Sequence, residues 1–200
     1  MTNGVNAPLG AQSSSYGASA PWTGGFQVFP MTPAYGFNLG EGDFVSFANG
    51  LIIRATVAGG AAPAAGVFVG CSYVDPTGVV QFSKYWPANQ ATFPGTTPTA
   101  NVIIDPQTVF TIQANGVVAA TAVDLNADII VAGAGNISLA NINTGYSGMM
   151  VNAATIAANA TFPLYILGFD PTPGNGPGIN FPNLLVKFNL TTSNAGTAGV

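Results

Sequence analysis

Chemistry in this chain has little to draw on: seven carboxylates, three basic groups, one cysteine and no histidine in 200 residues. Without histidine, the usual general base at neutral pH and the commonest metal ligand are both missing. A single cysteine cannot build a thiolate zinc site. The carboxylates that stand close in sequence are Glu41 with Asp43 and Asp124 with Asp128. Two carboxylates suffice for glycoside hydrolysis, but both pairs lie beside turn signals, where Asp bonds to nearby backbone, and a structural role is expected for each.

Three weaker patterns also fail as sites. Asp124-Leu-Asn126-Ala-Asp128 matches the start of a calcium loop, but Ile129 replaces its glycine and Gly135 stands where the bidentate Glu belongs. Gly133-Ala-Gly135 has Ser138 at the third glycine position of a dinucleotide fingerprint, with no basic residue following. Tyr73, Phe82, Tyr85 and Trp86 could stack a sugar, yet alternation around a hairpin favours core packing for them. Cys71, inside an apolar run, is expected to be a small buried hydrophobe. No catalytic, cofactor-binding or metal-ligating residue is therefore assigned, and an enzyme is not expected.

The elements around these residues read as strands. Asp43-Phe-Val-Ser-Phe-Ala and Leu51-Ile-Ile-Arg-Ala-Thr-Val flank Asn49-Gly50, a two-residue type I′ hairpin signal. Residues 66–74 and 79–86 flank Asp75-Pro-Thr-Gly78, with the residue preferences of a type I turn. A third hairpin is expected from 108–114 and the run after Asn115-Gly116, unless 117–123 starts a short helix. Further strands are expected at 128–131, 137–142, 162–169 and 184–190, with a Gly/Pro loop between the last two. Asn152 could cap one helical turn in 152–160. Many short strands with regular turn signals predict an all-β fold: a single sandwich or barrel, jelly-roll-like, of antiparallel strands. The domain plan is an extended low-complexity arm over 1–36, a β-domain over 37–192 and a flexible tail over 193–200.

Only 5% of the chain is charged, against about 25% in an ordinary soluble domain, while 48% is hydrophobic. Such a surface predicts coverage by neighbours, with self-association as a homotrimer first and a homodimer second. The aromatic residues of the arm and its junction, Tyr16, Trp22, Phe26, Phe29 and Tyr35, are the candidate contacts to a partner subunit or another protein of an assembly. Arg54, Lys84 and Lys187 are too dispersed to neutralise a run of phosphates, so no nucleic acid is expected. No stretch of about 18 apolar residues predicts a membrane helix, and no export signal opens the chain.

The run Gly66-Val-Phe-Val-Gly-Cys-Ser-Tyr-Val-Asp-Pro-Thr-Gly-Val-Val-Gln-Phe-Ser-Lys-Tyr-Trp-Pro-Ala88 resembles a motif of small structural proteins in tailed-phage particles, especially marine and cyanobacterial podoviruses. Tyr146-Ser-Gly-Met-Met-Val-Asn152, Pro163-Leu-Tyr-Ile-Leu-Gly-Phe169 and Leu184-Leu-Val-Lys-Phe188 fit the same family, so the likeness spans residues 42–189. It departs at Asn175-Gly-Pro-Gly178, where the family carries charges, and in the arm. The resemblance implies a capsid cement or decoration protein, made in the host cytoplasm, bound outside the shell of the major capsid protein. The competing readings are a tail or head-fibre component, although no repeat or stalk is present, and a secreted carbohydrate-binding β-domain.

Overall fold

The computed structural model describes residues 4–16, 20–55, 64–130, 140–141 and 143–191. Its strands are β1 (Gln12–Tyr16), β2 (Ala20–Pro21), β3 (Gln27–Pro30), β4 (Phe44–Ala48), β5 (Leu51–Arg54), β6 (Gly66–Val74), β7 (Val80–Ser83), β8 (Thr99–Ile103), β9 (Thr108–Gln113), β10 (Asn126–Ala127), β11 (Ile129–Ile130), β12 (Met150–Val151), β13 (Leu164–Phe169) and β14 (Asn183–Phe188). The helical content of the described residues is two 3-10 turns, Ala120–Ala122 and Ala153–Thr155. The protein is an all-β sandwich of antiparallel strands.

Turn chemistry fixes the hairpins. Asn49 and Gly50 both take positive φ, 52° and 78°, as a type I′ turn requires, and set β4 against β5 with Ala48 opposite Leu51. Between β6 and β7, the Gly78 N–H donates to the Asp75 carbonyl at 2.9 Å. The Gly/Pro loop between β13 and β14 is held by Asn175, whose amide donates to the carbonyls of Asp170 and Asn183 and accepts the Asn183 N–H. Asn152 does cap its turn, accepting the Ala154 N–H. The third hairpin does not form. After β9 the chain leaves through the Ala120–Ala122 turn, because both edges of β9 are already taken by β1 and β14. Most of the strand expected over 137–142 lies outside the described residues.

One sheet has the order β10-β13-β14-β9-β1-β2; the other has β3-β8-β6-β4-β5, with β7 added to β6. Between them lies the main core. Phe44 of the second sheet meets Phe188 of the first edge-on at 6.1 Å, and Phe188 meets Phe110 at 5.3 Å. The second sheet is buried on its other face as well. Phe44, Val67 and Ile103 enter the main core, while their neighbours Val45, Phe68 and Val102 enter a second core with Met31, Leu39, Cys71 and Trp86. That second core is closed where β3 nears β5, through a Met31–Ile52 bridge and a Phe29–Phe47 edge contact at 5.0 Å. Leu39 and Trp86 exchange backbone bonds of 3.0 and 2.7 Å across its end. With apolar residues needed on both faces, the strands lose polar alternation and few charges fit.

The described part of the N-terminal segment is built into the two sheets. β1 pairs with β9, and β3 pairs with β8. Ala11 and Met31 are buried in the two cores. The physical reason is edge completion: β8 and β9 each present an open edge, and strands from the same chain cover them. A chain starting at Phe37 should therefore fail to fold. Loss of the near-UV circular dichroism signal and of a cooperative melt would bear this out, and a native-like melt would show that β1 and β3 are dispensable.

Candidate functional site

The five aromatic residues expected to form a contact surface are placed apart, and most are spent on the fold. Tyr16 sits in β1 opposite Thr108, its side chain lying outside the described residues. Trp22 packs, partly buried, against the main core, and Phe29 packs against the second. The Tyr35 hydroxyl accepts the Arg54 N–H at 2.9 Å, and its carbonyl accepts the Trp86 indole N–H at 3.2 Å. Of the four whose side chains are described, only Phe26 is exposed, at 49%, beside a shallow groove shared with Gly25, Gln27, Ile104 and Asp105. Aromatic content alone cannot separate a contact residue from a core residue when the segment carrying it forms strands.

The groups capable of chemistry are likewise occupied. Each of the three cations lies over a ring: Arg54 over Phe37 at 4.7 Å, Lys84 over Tyr146 at 3.9 Å and Lys187 over Tyr165 at 5.0 Å. The Asp124 carboxylate accepts the Tyr165 hydroxyl at 2.8 Å. Asp128 accepts the Ile129 N–H at 2.8 Å. Among the described residues, no three His, Cys, Asp or Glu side chains gather as a metal site. Cys71 is buried, as expected, and burial pushes its thiol up to about 12, far from nucleophilic ionisation at neutral pH.

The Asp75 carboxylate accepts from the N–H groups of Thr77 and Val79, the Thr77 hydroxyl and the Gln81 amide. These bonds, the Thr77 hydroxyl foremost, hold the exposed carboxyl down at about 2 and stiffen the β6–β7 turn. Of the four aromatics weighed as a sugar platform, Trp86 and Tyr73 meet edge-on at 5.4 Å in and against the second core. Phe82 corrects the packing expectation: it is 83% exposed. It lies on β7 on the same face as the exposed Val80, a face that is open to solvent.

Asp43 is a fully buried carboxylate with long-range partners. It accepts the Gly40 N–H at 2.8 Å and the Ser147 hydroxyl, and Ser147 in turn accepts the Met149 N–H at 2.9 Å. The backbone between them is equally close: Glu41 donates to Gly145, and Ser147 donates to Glu41, each at 2.9 Å. Gly40 is required here, since a Cβ would lie 2.7 Å from Ala140 Cβ and 2.9 Å from the Ser147 nitrogen. Burial raises the Asp43 carboxyl to about 6, against the lowering effect of the Ser147 and Gly40 hydrogen bonds and of the Arg54 charge. Nothing local in sequence marks this pairing, because the partners stand 104 positions apart.

A carboxyl raised from its ordinary 3.8 to about 6 binds its proton more tightly in the folded state than in the unfolded state. Its contribution to stability is therefore greatest at low pH and is lost as pH rises from about 4 to about 6. Asp75 acts oppositely but only below about 4, because its folded value is lowered. Taking the protein from pH 7.5 to pH 5 should raise the melting temperature by about 2–4 °C, of order 1 kcal/mol. Asp43→Asn should flatten that rise; an unchanged slope in the variant would assign it to another group.

No protein-family model, curated protein or solved structure matches this chain.

Proposed function

We propose that this chain is a non-enzymatic virion structural protein, a cement or decoration protein that binds the outside of a phage capsid shell and stabilises it. The observation that carries the reading is a division of labour among side chains. Groups able to do chemistry are tied into internal bonds: three cations on rings, Asp43 and Asp75 in hydrogen-bond clusters, and the Cys71 thiol in a core. Large apolar side chains face solvent in two groups: Val79, Val80, Phe82 and Phe93 around the β6–β7 hairpin, and Phe26 and Val28 at β3. That suits a molecule built to be touched by other proteins rather than to turn over a substrate.

The family resemblance supports the same reading through residues that have structural work. In the run 66–88, Phe68, Cys71, Tyr73 and Trp86 build the second core, and Asp75 locks the turn. A shell-binding protein also benefits from few surface charges, since charged groups desolvated without partners oppose docking. The expected partners are the major capsid protein and further copies of this chain. Immunogold electron microscopy with antibodies to the purified protein should label the outer shell of intact particles. Label confined to tails or fibres, or particles that carry none of the protein, would reject the cement role.

A further inference from the structure

Asparagine followed by glycine can lose its side-chain amide without a catalyst, because a glycine nitrogen, unshielded by any side chain, can close on the asparagine Cγ. The chain holds four such pairs, and Asn49-Gly50, Asn115-Gly116 and Asn175-Gly176 lie among the described residues. Sequence makes these three alike; the fold does not.

Asn175 is the most restrained. Its amide nitrogen donates to the Asp170 and Asn183 carbonyls, each at 2.8 Å, and its oxygen accepts the Asn183 N–H at 2.9 Å. At Asn115 the side-chain oxygen accepts the Ala153 N–H at 2.8 Å, and a Cβ on Gly116 would lie 3.6 Å from the Ala153 Cβ. Ala153 thus holds the amide and crowds the glycine. Asn49 sits at the tip of the β4–β5 hairpin, where both it and Gly50 are exposed. Among the described residues no hydrogen bond holds the Asn49 side chain. Beyond its chain neighbours, nothing lies within 4 Å of a Cβ placed on Gly50.

We propose that Asn49 is a site of spontaneous deamidation in the folded protein, reacting through a succinimide formed with the Gly50 nitrogen. That nitrogen gives its proton to solvent base and bonds to Asn49 Cγ. The Cγ–NH2 bond breaks, and ammonia leaves after taking a proton from water. A second water then opens the ring. Cleavage at Cγ yields aspartate, and cleavage at the main-chain carbonyl yields isoaspartate, whose backbone runs through the side chain. Overall one water is consumed and one ammonia is released, with no oxidant or cofactor. Ring closure takes Asn49 out of its turn conformation at φ 52°. With the side chain free and both residues exposed, only the turn itself resists.

The two products differ in what they do to the fold. Aspartate suits a type I′ turn as asparagine does. Isoaspartate adds one backbone atom to a two-residue loop, so Ala48 and Leu51 can no longer face each other across it. β5 delivers Ile52 to the second core and the Arg54 N–H to the Tyr35 hydroxyl, so the lengthened turn lowers stability.

Mass spectrometry of the full chain, incubated at mildly alkaline pH below its melt, tests the assignment. Electron-transfer fragmentation places the conversion and tells isoaspartate from aspartate. Having to break one hydrogen bond lowers a reactive population roughly fivefold. Asn49 should therefore convert at least about fivefold faster than Asn115, and faster still than Asn175 with its three bonds. In denaturant the three should convert at similar rates, since each precedes glycine. Asn49→Asp should keep the wild-type melt, while protein aged into isoaspartate at this position should melt earlier. An Asn49 that converts no faster than Asn115 in the folded protein overturns the proposal. So does the same ranking in denaturant, which would place the cause in the local sequence rather than in the fold.

Discussion

The buried Asp43 carboxylate organises what surrounds it. A charge or acid in that position has to be hydrogen-bonded, and its donors come from Gly40 beside it and from Ser147, 104 positions away. Meeting that demand fixes the 40–43 turn against residues 145–149. Phe44 then donates its N–H to Met149 sulfur at 3.2 Å, and Ala11 donates to the Gly42 carbonyl at 3.0 Å. The start of β4, the segment leading into β1 and the segment before β12 are thus tied at one point where no bulky side chain fits. Phe44 and Ala11 point from this point into the main core, so the carboxylate's partners also set how the two sheets register.

The second constraint is that one sheet must be apolar on both faces. A sandwich sheet normally alternates, one face to the core and one to water. Here the outward face of β4, β6 and β8 is closed over by β3, β5 and the segments carrying Leu39 and Trp86, which creates a second core. This explains much of the low charge without any partner: many positions that would bear Lys or Glu in an open sheet are interior. What remains for an assembly to cover is smaller and more localised than composition implies, chiefly the β7 hairpin and the β3 edge.

These two constraints also account for what could be read from the chain. Asn49-Gly50, Asp75-Pro-Thr-Gly78 and the Gly/Pro loop before β14 announce their hairpins, because turn geometry is decided by the residues in the turn itself. β1 and β3 are not announced. Gln12–Tyr16 has three serines and no β-branched residue, and it becomes a strand only because β9, about a hundred positions on, offers it an edge. The roles of Trp22 and Phe29 in packing were hidden for the same reason, since a tail rich in aromatics and a strand rich in aromatics read alike. Phe82 errs in the other direction: its alternation within the strand was visible, but whether another layer covered that face was not.

Lys84 shows how the surface and the interior are linked. Its stem lies where a side chain on Gly145 would have to go, with the Lys84 Cε 2.6 Å from a Cβ placed there, and its ammonium rests on Tyr146. Tyr146 adjoins Ser147, the donor to Asp43. The cation that ends the β7 strand is therefore packed against the same segment that the buried carboxylate holds in place. An exposed hairpin anchored in this way is stiff at both ends, by Asp75 at its turn and by Lys84 at its base. Stiffness is what lets a few apolar side chains act as a binding surface, because the freedom a flexible loop would lose on contact has already been lost in folding.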